Sequence, residues 1–163
     1  MQAHTTFYVE VQTDPNFAGQ IDETALKTAV TATLHHQQAP PGTSVTLVIT
    51  GDQQIHRLNR QFRQVDAPTD VLAFPAAGNE PFVEAPGQSL YLGDVIVSHP
   101  RAVAQATAAG HAPSAELALL VVHGTLHLLG HDHAGDKEKT AMWAAQQAIL
   151  AGLGLELATT YQE

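Results

Sequence analysis

Apolar and polar residues recur along the chain with two periods, one typical of strands and one typical of helices. Alternating or short apolar runs predict strands over residues 5–11, 45–50, 71–74 and 91–97. Apolar residues spaced three and four apart predict helices over residues 23–37, 53–62, 99–109, 116–129 and 137–151. The order β-α-β-α-β-β-α-α-α indicates an α+β fold, a single domain with one mixed β-sheet of about four strands packed against about five helices.

Residues at the ends of these segments support the predicted boundaries. Asp22 stands just before one helical segment, and Pro113 or Ser114 opens another, with Ser114 as its candidate cap; a short polar side chain there can accept hydrogen bonds from free backbone amides. Gly110 and Gly130 stand just after such segments, where glycine readily adopts the left-handed conformation that ends a helix. Residues 75–87 have no helical period and contain several prolines, which predicts an exposed loop.

The predicted helix 116–129 is apolar nearly all round, which indicates burial on most sides. It nevertheless leads into HGTLHLLGHDH, residues 123–133, a stretch that contains four of the chain's ten histidines. His123 and His127 are four residues apart, so on a helix both side chains lie on one face. After Gly130 the chain can turn back, and His133 can then approach the same point from the loop.

Three imidazoles suit zinc and other borderline divalent ions, and three protein ligands leave a fourth position open for water. This count is typical of a catalytic site, because a structural zinc is usually held by four protein ligands. A single buried histidine is more often a hydrogen-bonded core residue. Two imidazoles on one buried face beside a third are costly to bury without a partner, and the set therefore predicts a metal site at His123, His127 and His133.

Neighbouring residues narrow the chemistry. Zinc peptidases of the HExxH type need a glutamate after the first histidine as general base, but Gly124 occupies that position. Peptide hydrolysis by that mechanism is therefore not expected. Asp132 fits two roles, orienting a ligand imidazole or capping the turn, and His131 fits a solvent-exposed position.

Composition and charge add a constraint on the partner. The 163 residues include no cysteine, which excludes disulfides and thiolate ligands and fits a cytoplasmic location. No run is long and apolar enough for a membrane span, and the N-terminus has no signal-peptide pattern. The formal net charge of −9 is not typical of a nucleic-acid-binding protein. Yet Arg57, Arg60 and Arg63 share an arc of about 120° on one predicted helix, a stripe that suits either a phosphate backbone or a solvated surface.

The histidine stretch resembles the HGxLHLxGxDH signature of the YbeY family. LNRQFRQVDAPTDVLAFP, residues 58–75, resembles the family's LNxxFRxxDxPTDVLSFP segment, and LGDVIVS, residues 92–98, resembles its LGDIxIS strand. Ala73 stands where the family mostly has serine, and His131 stands where an aromatic residue, often tyrosine, precedes the Asp-His pair. Neither difference touches the three predicted ligands.

The resemblance implies a metal-dependent endoribonuclease domain over residues 1–163 that is specific for single-stranded RNA. It implies a role in ribosomal RNA processing, namely maturation of the 3′ end of 16S rRNA, and in ribosome quality control. One zinc per chain would be held by His123, His127 and His133, and Arg63 would be catalytic. Expected partners are precursor rRNA and small-subunit ribosomal proteins, with neither DNA nor a membrane involved.

Several questions stay open at the level of the sequence. The attacking group is either a water or the RNA 2′-hydroxyl, and the general base is unassigned among Asp70, Asp94 and Asp132. For Asp94, which lies within an apolar strand, a structural role is favoured. Two other functions remain as alternatives, a ribosome-assembly factor with a mainly structural metal and a zinc hydrolase of small substrates.

Overall fold

The structure, a computed structural model, describes residues 6–76, 90–132 and 134–155. The strands within them are β1 (Tyr8–Thr13), β2 (Thr43–Thr50), β3 (Val71–Pro75) and β4 (Leu90–Ser98). The helices are α1 (Glu23–His36), α2 (Asp52–Arg63), α3 (His99–Ala109), α4 (Pro113–Leu128) and α5 (Asp136–Gly152), with a short 3-10 helix at Pro15–Phe17. The predicted α+β fold with one mixed sheet is confirmed.

The strands form one sheet in the order β1-β2-β4-β3. β1, β2 and β4 run parallel, whereas β3 is antiparallel to β4 at one edge. Parallel neighbours require a crossover, and α1 supplies the one between β1 and β2. The chain from β2 to β4 first passes through α2 and β3, which places the short antiparallel strand beside the end of α2.

Helix α4 is the centre of the molecule. It packs against α1, α3 and α5 and lies across β3 and β4. Every residue from Ala115 to Leu126 on it is buried, as the apolar composition predicted. The main core therefore forms between α4, α1 and one face of the sheet, whereas α2 covers part of the opposite face through a small cluster of Ile55, Leu72 and Ile96.

The helix ends mostly follow the sequence. The Asp22 carboxylate accepts a hydrogen bond from the Ala25 amide at 3.1 Å, and Gly130 has φ +99°, so both predicted boundaries are confirmed. Ser114 does not cap α4, and that prediction is wrong. Ala112 is the N-cap and makes no side-chain bond, and Pro113 takes the first position, where a missing N–H costs nothing.

Other boundaries differ by a few residues. The predicted strand ended at residue 11, whereas β1 ends two residues later, at Thr13. Residue 5, where the predicted strand began, lies outside the described residues. Pro75 belongs to β3 rather than to the predicted loop 75–87, of which residues 77–87 also lie outside the described residues. These differences do not move any predicted site residue to another element.

Candidate active site

His123 and His127 lie one turn apart on α4 and face each other. Their Nε2 atoms are 3.1 Å apart, and the rings meet nearly edge to face with centroids 4.7 Å apart. His123 is 8% exposed, so its imidazole has little access to bulk water. The i, i+4 spacing thus brings two ring nitrogens to one point, as the sequence predicted.

This separation can be compared with metal geometry. Two nitrogens bound to one tetrahedral zinc at about 2.0–2.1 Å lie about 3.3 Å apart. The observed Nε2–Nε2 distance of 3.1 Å is close to this nitrogen–nitrogen distance. Two neutral imidazole nitrogens are also a suitable donor set for zinc. The two side chains therefore fit the ion that the family resemblance implies.

A glycine lets α4 come close to the sheet at this point. A Cβ added to Gly124 would lie 2.6 Å from Val95 Cγ1 and 3.1 Å from Val71 Cγ2, closer than carbon atoms normally pack. The sequence indicated only that Gly124 removes the peptidase glutamate. The structure adds that a side chain here would push α4 away from β3 and β4.

Gln146 on α5 contacts the far side of the His123 ring. Its Oε1 lies 3.0 Å from His123 Nδ1, and its side chain is 2% exposed. Gln146 was not predicted from the sequence. The available signal was a polar side chain on the apolar face of α5 that carries Met142, Ala145, Ile149 and Leu150, because a buried amide needs a hydrogen-bonding partner.

The two histidines line a cleft with a volume of about 460 Å³. Its polar lining includes Arg63, Thr69, His123, His127, His131 and Asp132. Arg63 reaches the cleft from the last turn of α2, and β3 contributes Val71 and Ala73 to the wall. A cationic side chain and the imidazole pair therefore share one solvent-accessible space, although they come from segments 60 residues apart in the chain.

The other two arginines of the predicted stripe do not line the described cleft. Arg57 and Arg60 are exposed, like Arg63, but only Arg63 is among the cleft residues described. The stripe on α2 therefore begins at the cleft with Arg63 and leads away from it across the solvent-facing side of the helix. Only Arg63 is placed to reach a group held near the histidines.

The third predicted ligand, His133, lies outside the described residues. In residues 6–76, 90–132 and 134–155, no three histidine, aspartate or glutamate side chains are grouped closely enough to hold an ion. The site with three histidines therefore stays a prediction, of which the structure describes two members.

Both residues before His133 make hydrogen bonds through their side chains. His131 Nε2 lies 2.7 Å from Gln37 Oε1, which connects the loop after α4 to the end of α1. His131 is partly exposed, so the solvent-exposed position expected for it is only partly borne out. The Asp132 carboxylate accepts a hydrogen bond from the Ala134 amide at 2.7 Å. Of its two expected roles, capping the turn is the one with a described contact.

The remaining acidic candidates make structural contacts. Asp70 is buried; its Oδ1 accepts a hydrogen bond from the Val71 amide at 2.8 Å, and its Oδ2 accepts one from Gln105 at 3.3 Å. Asp94 accepts a hydrogen bond from the Tyr91 hydroxyl. Burial and that bond to Asp94 raise the pKa of Tyr91. Neither carboxylate is among the described residues of the cleft, so the contacts favour structural roles for both.

Comparison with known proteins gives the family. The family model described as Endoribonuclease YbeY matches residues 9–154. This chain belongs to the YbeY family. The protein from Chloroflexus aggregans named "Endoribonuclease YbeY" is 47% identical over 152 residues, covering 92% of this chain and 98% of that protein. The protein of the same name from Roseiflexus castenholzii is 45% identical over 148 residues, covering 90% of this chain and 93% of that protein.

A solved structure of low sequence identity shares the fold. The solution structure of TM1509 from Thermotoga maritima superposes with a TM-score of 0.56 at 20% identity, covering 90% of this chain and 91% of that one. The similarity supports the architecture of sheet and helices. In the described part of the chain, none of the helices has the length and apolar character that crossing a bilayer requires.

Proposed function

We propose that this protein is a zinc-dependent endoribonuclease that cleaves single-stranded RNA. We further propose that it acts in the cytoplasm on precursor rRNA, at the 3′ end of 16S rRNA, and in ribosome quality control with small-subunit proteins. Membership of the YbeY family supports cleavage of RNA. The observation that carries the metal proposal is the convergence of His123 and His127 in the cleft that Arg63 also reaches.

His123, His127 and His133 would hold one zinc per chain. A zinc bound by three imidazoles supplies a Lewis acid for a phosphoryl oxygen and lowers the pKa of a bound water toward about 7. His123 is 8% exposed, and α4 carries both imidazoles on one rigid element. A site built on a helix keeps its geometry better than one built on loops.

Arg63 would bind the phosphate to be cleaved. Negative charge grows on the phosphoryl oxygens as the new bond forms, and a planar guanidinium can donate two parallel hydrogen bonds to them. Arg63 is exposed in the last turn of α2, so its side chain can adjust to a phosphate that lies across the cleft. The attacking group in this proposal is a water or the RNA 2′-hydroxyl.

The charge distribution supports a polyanionic substrate despite the acidic total. The chain has a formal net charge of −9, but three of its seven basic residues lie on α2, and the last of these, Arg63, adjoins the cleft. RNA leaving the cleft past Arg63 would next meet Arg60. Binding through such contacts releases counterions, so affinity for RNA should fall steeply as salt increases.

The experiment is cleavage of a single-stranded RNA by the purified protein. We expect cleavage in the presence of zinc, loss of cleavage after treatment with a chelator, and loss in His127→Ala. A duplex RNA of the same sequence serves as the substrate control. A folded, zinc-loaded protein that never cleaves RNA would contradict the proposal and favour the assembly factor with a structural metal. Turnover of a small phosphodiester that is insensitive to salt would favour the small-substrate hydrolase.

A further inference from the structure

The buried amide of Gln146 is the feature that the proposed function leaves unexplained. Four neighbouring positions on the same face of α5, Met142, Ala145, Ile149 and Leu150, are apolar. A glutamine buried among them costs free energy unless its amide group is hydrogen-bonded. Its described contact is with His123, 3.0 Å from Oε1 to Nδ1, across the interface between α5 and α4.

This contact determines which nitrogen of His123 carries the proton. Gln146 presents its amide oxygen to Nδ1, and an amide oxygen accepts a hydrogen bond, so the contact assigns the proton to Nδ1. In a neutral imidazole, Nε2 is then unprotonated and carries the lone pair that binds a metal. That same Nε2 is the atom 3.1 Å from His127 Nε2, at the predicted metal position.

From these contacts, and resting on the proposed zinc site, we infer that Gln146 is the positioning residue that prepares His123 to bind the metal. It fixes the tautomer in which Nε2 is unprotonated and holds the ring in the orientation that faces His127. Partners of this kind on metal-binding histidines orient the ring and make it a better ligand. A free histidine that lacks such a partner samples both tautomers, and only one of them can bind through Nε2.

Burial explains why the contact can fix the ring. Gln146 is 2% exposed and His123 is 8% exposed, so water does not compete for either group. Both side chains project from long helices, α4 of 16 residues and α5 of 17, that pack against each other. Rotation of the His123 ring would break the hydrogen bond and leave both groups unsatisfied in the core, which is unfavourable.

The test uses zinc alone as the probe and compares two substitutions at one position. Gln146→Glu keeps an oxygen that accepts from Nδ1, whereas Gln146→Met keeps an unbranched side chain of similar length without that oxygen. We expect the zinc affinity of Gln146→Met, measured by competition with a chromogenic chelator, to fall about 10- to 100-fold. The affinity of Gln146→Glu should equal or exceed that of the wild type, because a carboxylate raises the basicity of the ring.

A matched control is available on α3. Gln105 donates a hydrogen bond to Asp70 at 3.3 Å and lies outside the described lining of the cleft. Gln105→Met also removes an amide from a helix interface, so it reports the effect of a lost bond on stability alone. Its zinc affinity should be unchanged. Equal affinities for Gln146→Met and wild type, or a tenfold loss in Gln146→Glu, would overturn the inference.

A second measurement separates this inference from the proposed function. Imidazole ¹⁵N chemical shifts of the metal-free wild type give the tautomer of His123 directly and do not depend on any variant folding. We expect protonation at Nδ1, and protonation at Nε2 would overturn the inference. If the tautomer is as expected but the wild type binds no zinc, the zinc part of the proposed function fails, and the role of Gln146 toward the metal fails with it.

Discussion

Replacement of Gly124 by alanine tests the close packing that places the two histidines. The new Cβ would lie 2.6 Å from Val95 Cγ1, whereas carbon atoms pack at about 3.5–4.0 Å. Val95 is fully buried in β4 and, being β-branched, has few alternative rotamers. Helix α4 would therefore have to move away from the sheet by about 1 Å, the difference between the two distances.

Two opposing effects determine the change in the free energy of unfolding of Gly124→Ala. Overpacking of a well-packed core costs about 1–3 kcal/mol, and Gly→Ala inside a helix returns about 1 kcal/mol. We expect Gly124→Ala to lower the free energy of unfolding by about 1 kcal/mol net, at the middle of that range. With a urea slope of about 1–3 kcal/mol/M, the unfolding midpoint should fall by roughly 0.3–1 M.

The assay is urea unfolding followed by circular dichroism. Gly152→Ala is the control, because a Cβ at Gly152 in α5 meets no atom within 4 Å. That variant should be as stable as the wild type or slightly more stable, since only the helix propensity changes. A Gly124→Ala protein that is stabilised as much as Gly152→Ala would refute the argument from close packing.

Three further predictions concern the cleft, the core and the metal. Arg63→Gln should lower kcat/KM for RNA cleavage about 10²- to 10³-fold, with zinc content unchanged. Arg60 lies outside the described cleft, so Arg60→Gln should lower kcat/KM far less. Equal effects of the two substitutions would contradict a specific role for Arg63. Burial lowers the pKa of His99 below 6.5, so the unfolded chain takes up a proton just below that pH while the folded chain does not. Stability should thus fall as the pH drops through that window, and less so in His99→Phe; identical pH profiles from urea unfolding would contradict this. Zinc at 100 times its Kd should stabilise the fold by about 2.7 kcal/mol in a thermal shift assay, and His127→Ala should lose that increment, so a full increment in the variant would count against His127 as a ligand.

The parts of the fold that follow from local patterns were predictable. The apolar composition of residues 116–129 predicted the buried α4, and the spacing of His123 and His127 predicted that their rings meet. Both depend only on the geometry of a single helix, which the sequence specifies directly. The order of strands and helices likewise predicted the mixed sheet and its fold class.

Features that depend on how helices cross were not predictable. Gln146 contacts His123 because α5 packs on α4, and no periodicity in the sequence states which residues meet there. The same holds for Gly124, whose need for space arises from Val95 and Val71 on the sheet beneath it. A cap such as Ser114 failed for a more local reason, since Pro113 satisfied the first helical position and moved the N-cap to Ala112.

The most direct test of the central claim is the zinc content of the purified chain and of its histidine variants, measured by mass spectrometry of the metal. The account predicts one zinc per chain in the wild type and none retained after dialysis in His123→Ala, His127→Ala or His133→Ala. A double variant lacking both His123 and His127 that keeps one full equivalent of zinc would contradict it.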